Sequence, residues 1–504
     1  MDGIVQIMTE VLLNALPHAM GNEEETGLLV TNLQGDLEEP HELAERLDWF
    51  MPAGMVFAGE GQHLFLQNGG LIYPGGAHDR TQPDRMDIFT NIERATAEQS
   101  GPEAMPAAIG AHEKLLVEVV KGYVERTAGH RNQPASARIQ RRVVDAGGSR
   151  KASHDSFGVD HPEQYFNNTD KKMQRYLFLS MLAVESFMYG AGYVTAKGTR
   201  FAQKLGGLVQ EESYGYHGSM MRTVNYEDTG PRIEKRCSDI NLSPWAIQTR
   251  FGHTALLLTL LKTPLAAKLA GQNPVSHPLQ DAKRFNFVSL DGDGGIIAEP
   301  LNYEALDFVE RFADMITTDL GRYTFMPIEY ELIASDIKKY CEDFRAVLDG
   351  KEPYTLLADR ADHAAKFMKI AEKMAIDRRE GKSRSFNDVR SIRDDMLYDY
   401  IGITAKPGQA ARVKYGYGYK RRSEGGFRAT PNDRSVEKAF WEPPTDTRAL
   451  VRSELIQKYQ LSDVKWNMIK LPGYTHELSL RGPRDTTLSP AIEQIVKLYA
   501  VGRD

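Results

Sequence analysis

The order of apolar and polar positions along the chain predicts strands early and helices through the middle. Ile4, Ile7, Met8, Val11, Leu12 and Leu16 recur at helical spacing and predict a short amphipathic helix over 1–17, closed by Pro17. Residues 19–30 mix glutamates with a Leu28-Leu29-Val30 end and predict a strand. Residues 41–50 predict a helix, and 64–66 a short strand ended by Asn68-Gly69-Gly70, a strong turn signal. The Gly-, Pro-, Asp- and Arg-rich stretch 73–85 reads as an exposed loop. Helices are expected over 111–128, 173–188, 245–270, 303–320, 329–348 and 357–380, the third of them capped by Asn241 or Ser243. Basic, poorly apolar residues 129–153 read as a solvated, mobile loop open to trypsin, and 402–435 as a linker or flap. The last unit predicts a helix at 446–459, a strand at 464–471 and a helix at 489–500. Without regular strand–helix alternation, the class is α+β rather than doubly wound.

Composition narrows the range of functions. The 504 residues are 41% hydrophobic and 26% charged, enough for a sizeable core. Lys+Arg number 62 and Asp+Glu 69, for a net charge of −7, which argues against a general nucleic-acid binder. Cys237 and Cys341 are the only cysteines; they exclude a disulfide scaffold and fit a reducing cytoplasm. The apolar run 254–270 is interrupted by Lys262, Pro264 and Lys268, so no membrane span is expected. Asp2 and Glu10 stand where a signal peptide needs positive charge.

Four short stretches carry candidate chemistry. Glu23 and Glu25 are two apart, so on a strand both carboxylates project from one face, where their repulsion calls for a hard divalent cation. Glu24 belongs to the other face, where exchange for Gln should change little. The second stretch is Met86 to Glu98, which contains Asp87 and Glu93. The third is Arg236-Cys237-Ser238-Asp239-Ile240-Asn241, running on to His253, which reads as a core histidine. The fourth is Pro443-Pro444-Thr445-Asp446-Thr447-Arg448. Each alone also fits an acidic surface, a half-exposed strand or a capped turn.

Their order and spacing together resemble the family of the Pup ligase and the Pup deamidase/depupylase, relatives of glutamine synthetase and the carboxylate–amine ligases. Its Met-Gly-x-Glu-x-Glu-aromatic-Gly start looks like Met20 to Gly27, with Thr26 in the aromatic place. Its Phe-Leu-x-Asn-Gly is similar to Phe65 to Gly69. Its Tyr-x-Asp and Pro-Glu-Tyr-Ala-Thr-x-Glu resemble Met86-Asp87 and Ile92 to Glu98, across about a dozen extra residues. Its Ser-Tyr-Gly and His-Glu-Asn-Tyr resemble Ser156-Phe157-Gly158 and His161 to Tyr165. Its Gly-Asp-x-Asn resembles Ser238 to Asn241, with Glu234 where the family has a histidine. Its Pro-Pro-x-Asp-Thr-Arg-Ala run resembles Pro443 to Ala449.

The resemblance implies a glutamine-synthetase-like, curved, mainly antiparallel sheet with helices on its outer face and a small C-terminal domain. Its implied limits are an extension over 1–18, a catalytic domain over 19–415 and a C-terminal domain over 416–504. It implies ATP and Mg²⁺, activation of a side-chain carboxylate of a small Pup-type modifier as an acyl phosphate, and transfer to a lysine of a target protein. A link to a proteasome pathway follows from it. The implied metal ligands are Glu23, Glu25, Glu93, His161 and Glu234. Asp87 is the implied base, and Arg222, Asn241 and Arg448 the implied nucleotide contacts. The depupylase branch has a long loop after the first motif. Only residues 28–64 separate that motif from Phe65 here, which favours the ligase; the Pro443–Arg448 run leans toward the depupylase. A small-molecule ligase and a non-catalytic homologue on the same scaffold stay open.

Overall fold

A computed structural model describes residues 16–17, 19–31, 37–38, 40–59, 63–75, 90–141, 143–144, 150–151, 153–159, 162, 172–208, 210–212, 219–224, 231–297, 299–459, 461, 463–471, 477–480 and 486–501. A thirteen-stranded sheet dominates the described residues. In chain order its strands are β1 (Ala19–Thr31), β2 (Leu37–Glu38), β3 (Phe57–Ala58), β4 (Leu64–Leu66), β5 (Leu71–Gly75), β6 (Thr90–Ala95) and β7 (Ala135–Gln140). They continue with β8 (Ser153–Gly158), β9 (Gln210–Glu212), β10 (Ser219–Val224), β11 (Arg232–Ser238), β12 (Ile401–Ala405) and β13 (Arg412–Tyr415). The long path across the sheet runs β9-β10-β11-β8-β1-β6-β5-β4-β3. β9 and β10 are parallel; the other pairs are antiparallel.

β1 organises this sheet. Its first half pairs with β8, its middle with β6, and its end with β7 and β2. Side chains alternate along it. Met20, Asn22, Glu24, Thr26, Leu28 and Val30 are buried on the helix side. The Met105–Arg131 helix packs there across β1, β7 and β12, with Pro244–Leu260 and Ile328–Leu348 behind it. Pro244–Leu260 is buried on nearly every side, whereas Ile328–Leu348 is amphipathic and keeps its charged face outward. A second hydrophobic cluster joins Val451, Leu455, Leu461, Ile469, Leu478 and Val496 to Ala58, Phe65, Leu71 and Ala95, capping the β3–β6 end of the sheet.

The α+β class holds, but several local expectations fail. Tyr73 to Gly75 continue β5 and are not a loop. Ala135–Gln140, expected to be mobile, is a strand held between β1 and β12, and Arg141 beyond it is 3% exposed. Ile401–Ala405 is likewise a strand and not a linker. Only Ala135–Gln140 carries several polar residues, and it is a strand all the same because its backbone is paired on both sides. The helix expected over 245–270 breaks into Pro244–Leu260 and Leu265–Ala270 at Pro264. Tyr419, Phe427 and Phe440 join the main core, and Val451, Leu455 and Ile456 the second cluster. The helix expected over 1–17 lies outside the described residues, apart from Leu16 and Pro17.

Glu24 does point away from Glu23 and Glu25, but into the core. Its carboxylate accepts from Arg94 Nη2 at 2.6 Å, and that guanidinium also donates to Thr26 Oγ1 at 2.8 Å and to the His112 carbonyl at 3.2 Å. Breaking one side of a buried ion pair leaves the other charge unpaired. Glu24→Gln is therefore expected to lower stability by ~3 kcal/mol, contrary to the neutral exchange expected from sequence. Urea unfolding of the single variant measures it, and a loss below ~0.5 kcal/mol would show the pair to be unimportant.

Candidate active site

The face of the sheet opposite the main helices carries charged residues in a stripe across six strands. Glu23 and Glu25 project there from β1. His154 on β8 is the register partner of Glu23, and Glu93 on β6 that of Glu25. Tyr73 on β5 lies opposite Glu93. On the other side Ser156 of β8 faces Glu234 of β11, which faces Arg222 of β10. Strand alternation alone puts these residues on one side. The turn after the Tyr193–Thr195 and Gly198–Arg200 hairpin, which belongs to a separate small sheet, adds Lys204. Asp239 accepts from the backbone of Ala191, Gln203 and Lys204 at 2.9–3.0 Å, and this anchors the turn that aims Lys204 at Glu25.

The carboxylates on this face are held in different ways. Glu23 accepts from the Tyr73 hydroxyl and lies 3.1 Å from His154 Nδ1. Burial pushes its carboxyl up, but the His154 contact and charge, with the Tyr73 bond, outweigh that and hold it below the usual range. Tyr73 is raised well above a normal phenol, first by burial and then by Glu23 and Glu93. Lys204 Nζ lies 3.6 Å from Glu25 Oε2. Asn91 Nδ2 donates to Glu93 Oε1 at 2.9 Å. The Glu93 side chain lies over Gly75, where an added Cβ would fall 1.9 Å from Oε1, so any larger residue there would push Glu93 out of this position.

Glu234 differs from the others. Arg222 grips it with Nε and Nη2 at 2.8 Å each, and Arg232 with Nε at 3.0 Å and Nη2 at 2.6 Å. Burial raises its carboxyl, but Arg232 and Arg222 bring it down to about 2. Two guanidiniums use its acceptor sites, so Glu234 serves here as an anchor for Arg222 and Arg232. Arg222 stays on the open face, one side of its fork on Glu234.

No three His, Cys, Asp or Glu groups among the described residues already surround a common point. The donor chemistry of the stripe nevertheless suits a hard cation. Glu23 and Glu93 both act on the Tyr73 hydroxyl, and Glu25 stands in register with Glu93. Oxygen donors of this kind fit Mg²⁺, which takes one or two carboxylates and fills its other positions with water and phosphate.

The remaining predicted residues separate clearly. Asp87 and His161 lie outside the described residues. Asn241 is 1% exposed and sits behind the sheet. Its Nδ2 donates to the Tyr189 carbonyl at 3.0 Å and to Asp362 at 3.1 Å, and its Oδ1 accepts from Arg250. It braces the start of the Pro244–Leu260 helix, whose cap is Ser243, and cannot reach a ligand on the open face. Arg448 donates through Nε to Glu98 at 2.9 Å, and Arg452 joins the same carboxylate at 2.6 Å. Arg448 thus clamps Glu98, just beyond β6, to the start of the Ala449–Lys458 helix.

Sequence reasoning missed His154, Tyr73 and Lys204. His154 had a usable signal, because it and Ser156 alternate with buried Ser153, Asp155 and Phe157. Tyr73 follows the Asn68-Gly69 turn by a short strand, but was passed over once the Tyr-x-Asp motif was matched to Met86-Asp87. Nothing local marks Lys204, whose placement depends on Asp239.

With this geometry in hand, comparisons with known proteins give a consistent result. The family model described as Pup-ligase protein matches residues 36–470. The chain is 24% identical to a Pup–protein ligase of Micrococcus luteus, over 94% of this chain and 97% of that one. It is 22% identical to a Pup–protein ligase of Bifidobacterium dentium, over 97% and 95%. A crystal structure of the complex between the prokaryotic ubiquitin-like protein Pup and its ligase PafA superposes with a TM-score of 0.72 at 15% identity, covering 98% of this chain and 94% of that one. A structure of PafA in complex with ADP gives a TM-score of 0.63 at 15% identity, covering 87% and 90%.

The Glu98 clamp makes a pH prediction. Burial raises the Glu98 carboxyl, but Arg452 and Arg448 bring it down to about 2 from a model-peptide value of 4.5. A depressed folded-state value gives stability that is full above the unfolded value and is lost as pH falls through the folded one. Glu98 is thus expected to contribute up to ~3 kcal/mol above pH 4.5, fading toward pH 2. Denaturation of wild type and Glu98→Gln across that range should converge at low pH. Parallel curves would show that the clamp does not titrate.

Proposed function

This chain belongs to the Pup-ligase protein family, and on that premise we propose that it is an ATP- and Mg²⁺-dependent ligase of proteins. It activates a side-chain carboxylate of a small Pup-like modifier as an acyl phosphate and joins it to a lysine of a target protein. The observation that carries this reading is the stripe of Glu23, Glu25 and Glu93 beside guanidiniums on one sheet face, in a chain that matches two Pup–protein ligases nearly end to end. ATP is proposed from the ADP complex of the structural relative, and the modifier from its complex with Pup. The depupylase and small-molecule alternatives gain no support from these relatives. Cytoplasmic action fits the two buried free cysteines, and among the described residues no helix is long and apolar enough to cross a membrane.

Glu23, Glu25 and Glu93 would hold Mg²⁺, with His161 as a further candidate from sequence. When bound, the ion neutralises and orients the phosphates for in-line transfer. The chain's own groups do the rest. Arg222 offers donors to phosphate oxygens. The modifier's carboxylate oxygen attacks the γ-phosphorus and ADP leaves. The lysine amine then attacks the acyl carbon and phosphate leaves. An ammonium is not a nucleophile, so a base must take its proton; Asp87 is the candidate from sequence. His154 and Tyr73 keep Glu23 ionised and oriented between turnovers.

The test is ADP release by purified protein with ATP, Mg²⁺, a small protein ending in Glu and a lysine-bearing target. Glu23→Gln and Glu25→Gln are expected to abolish turnover per folded molecule; Glu25, 4% exposed and 3.6 Å from Lys204, is also expected to lose stability when its charge is removed, so activity is compared at equal folded fraction. Asp87→Asn is expected to cost ~10²–10⁴ in isopeptide formation and to leave nucleotide binding intact. A wild type that releases ADP only with a free amino acid and a small amine would overturn the protein-ligase reading. Unchanged turnover in Asp87→Asn would place the base elsewhere.

A further inference from the structure

One charged group on the open face has no ion pair within contact distance among the described residues. Arg236 follows Glu234 by two residues on β11 and shares its face. It is 6% exposed, and its Nη1 has no hydrogen-bond partner among the described residues. The other deeply buried arginines are all paired: Arg94 with Glu24, Arg250 with Asp155, Arg360 with Asp343 and Arg452 with Glu98. Its neighbours Arg222 and Arg232 both close on Glu234. A buried donor left unpaired costs free energy, and a buried charge costs more. A chain that keeps such a group gains from it only when an anion arrives.

The surroundings identify that anion. The charges that act on Arg236 are those of Glu234 on its own strand, Arg222 on the adjacent β10, and Glu25 and Glu23 on β1, two strands away. Arg222 and the two candidate metal carboxylates therefore belong to its surroundings. A phosphate there would meet a divalent cation through Glu23 and Glu25, and a guanidinium fork directly. We infer that Arg236 binds the phosphoryl group under transfer, first as the terminal phosphate of a nucleoside triphosphate and then as the phosphate of the acyl phosphate. This rests on the ligase reading above.

The experiment is calorimetric titration of the full chain with Mg·ADP and with a Mg-bound non-hydrolysable ATP analogue, for wild type, Arg236→Gln and Arg236→Lys. Arg236→Gln is expected to lose at least about tenfold in affinity for the analogue and clearly less for ADP, with Arg236→Lys in between. Without ligand, Arg236→Gln is expected to melt at or above the wild-type temperature, because it removes a buried unpaired charge. A lower melting temperature would make the arginine structural. Equal affinities in variant and wild type, or an equal loss for both nucleotides, would overturn the assignment while the ligase reading stands. So would weakened binding of a peptide ending in Glu with nucleotide binding intact, since that would make the anion a carboxylate. A wild type that binds neither nucleotide would overturn the ligase reading itself, and this inference with it.

Discussion

The Arg94–Glu24 ion pair is the constraint around which the sheet is built. It joins β6 to β1 from behind and ties both to the carbonyl of His112 in the Met105–Arg131 helix. β1 must present two carboxylates forward and fit a packed core behind within one alternating run. Glu24 is the acidic residue that this alternation sends backward, and only a buried cation makes it tolerable. The same solution recurs along the rear of the sheet. Asp155 takes Arg250, Glu185 takes Lys235, and Glu113 takes Arg141.

The two faces therefore follow different electrostatic rules. Behind the sheet every acid among these pairs has its base, and the pairs serve to fix register and strand position. In front, Glu23 meets a phenol and an imidazole, Glu25 a lysine among its contacts, and Glu93 an amide and the same phenol. Those contacts are weak enough to yield to a ligand, whereas the Arg222–Glu234–Arg232 cluster is not. The open face thus divides into an exchangeable acidic half and a fixed half centred on Glu234, and binding chemistry belongs on the first and along the seam between them.

Much of this was legible in the sequence because alternation is a local rule. Glu23 and Glu25 share a face for the same reason that Glu24 does not, and no tertiary knowledge was needed. The error over Glu24 was one of energy: a charged residue on a strand reads as solvated until its burial is known. Asn241 and Arg448 raise a related point. A polar residue in a motif can serve the fold as well as the ligand, and only its hydrogen-bond partners decide. His154, Tyr73 and Lys204 come from three separate segments, and their meeting depends on strand order, which no local pattern encodes. Stretch 135–140 looked like a loop because a sheet interior accepts polar side chains where neighbouring strands pair the backbone, and 402–405 because the Gly-, Lys-, Arg- and Tyr-rich residues after it hide a short apolar strand.

The place of β12 in the sheet has a consequence for synthesis. β7 is made early, yet one of its edges is completed only by Ile401–Ala405, which emerges after most of the chain. Until then, the nascent protein shows an unpaired strand edge beside an exposed apolar helix face. Such edges are templates for pairing with other chains. A topology this non-local folds slowly, and loop-closure entropy must be met before distant strands reward it. The interval between β7 and β12 leaving the ribosome is thus when this protein is most exposed to misassembly, and any chaperone that holds it there would act on the edge of β7.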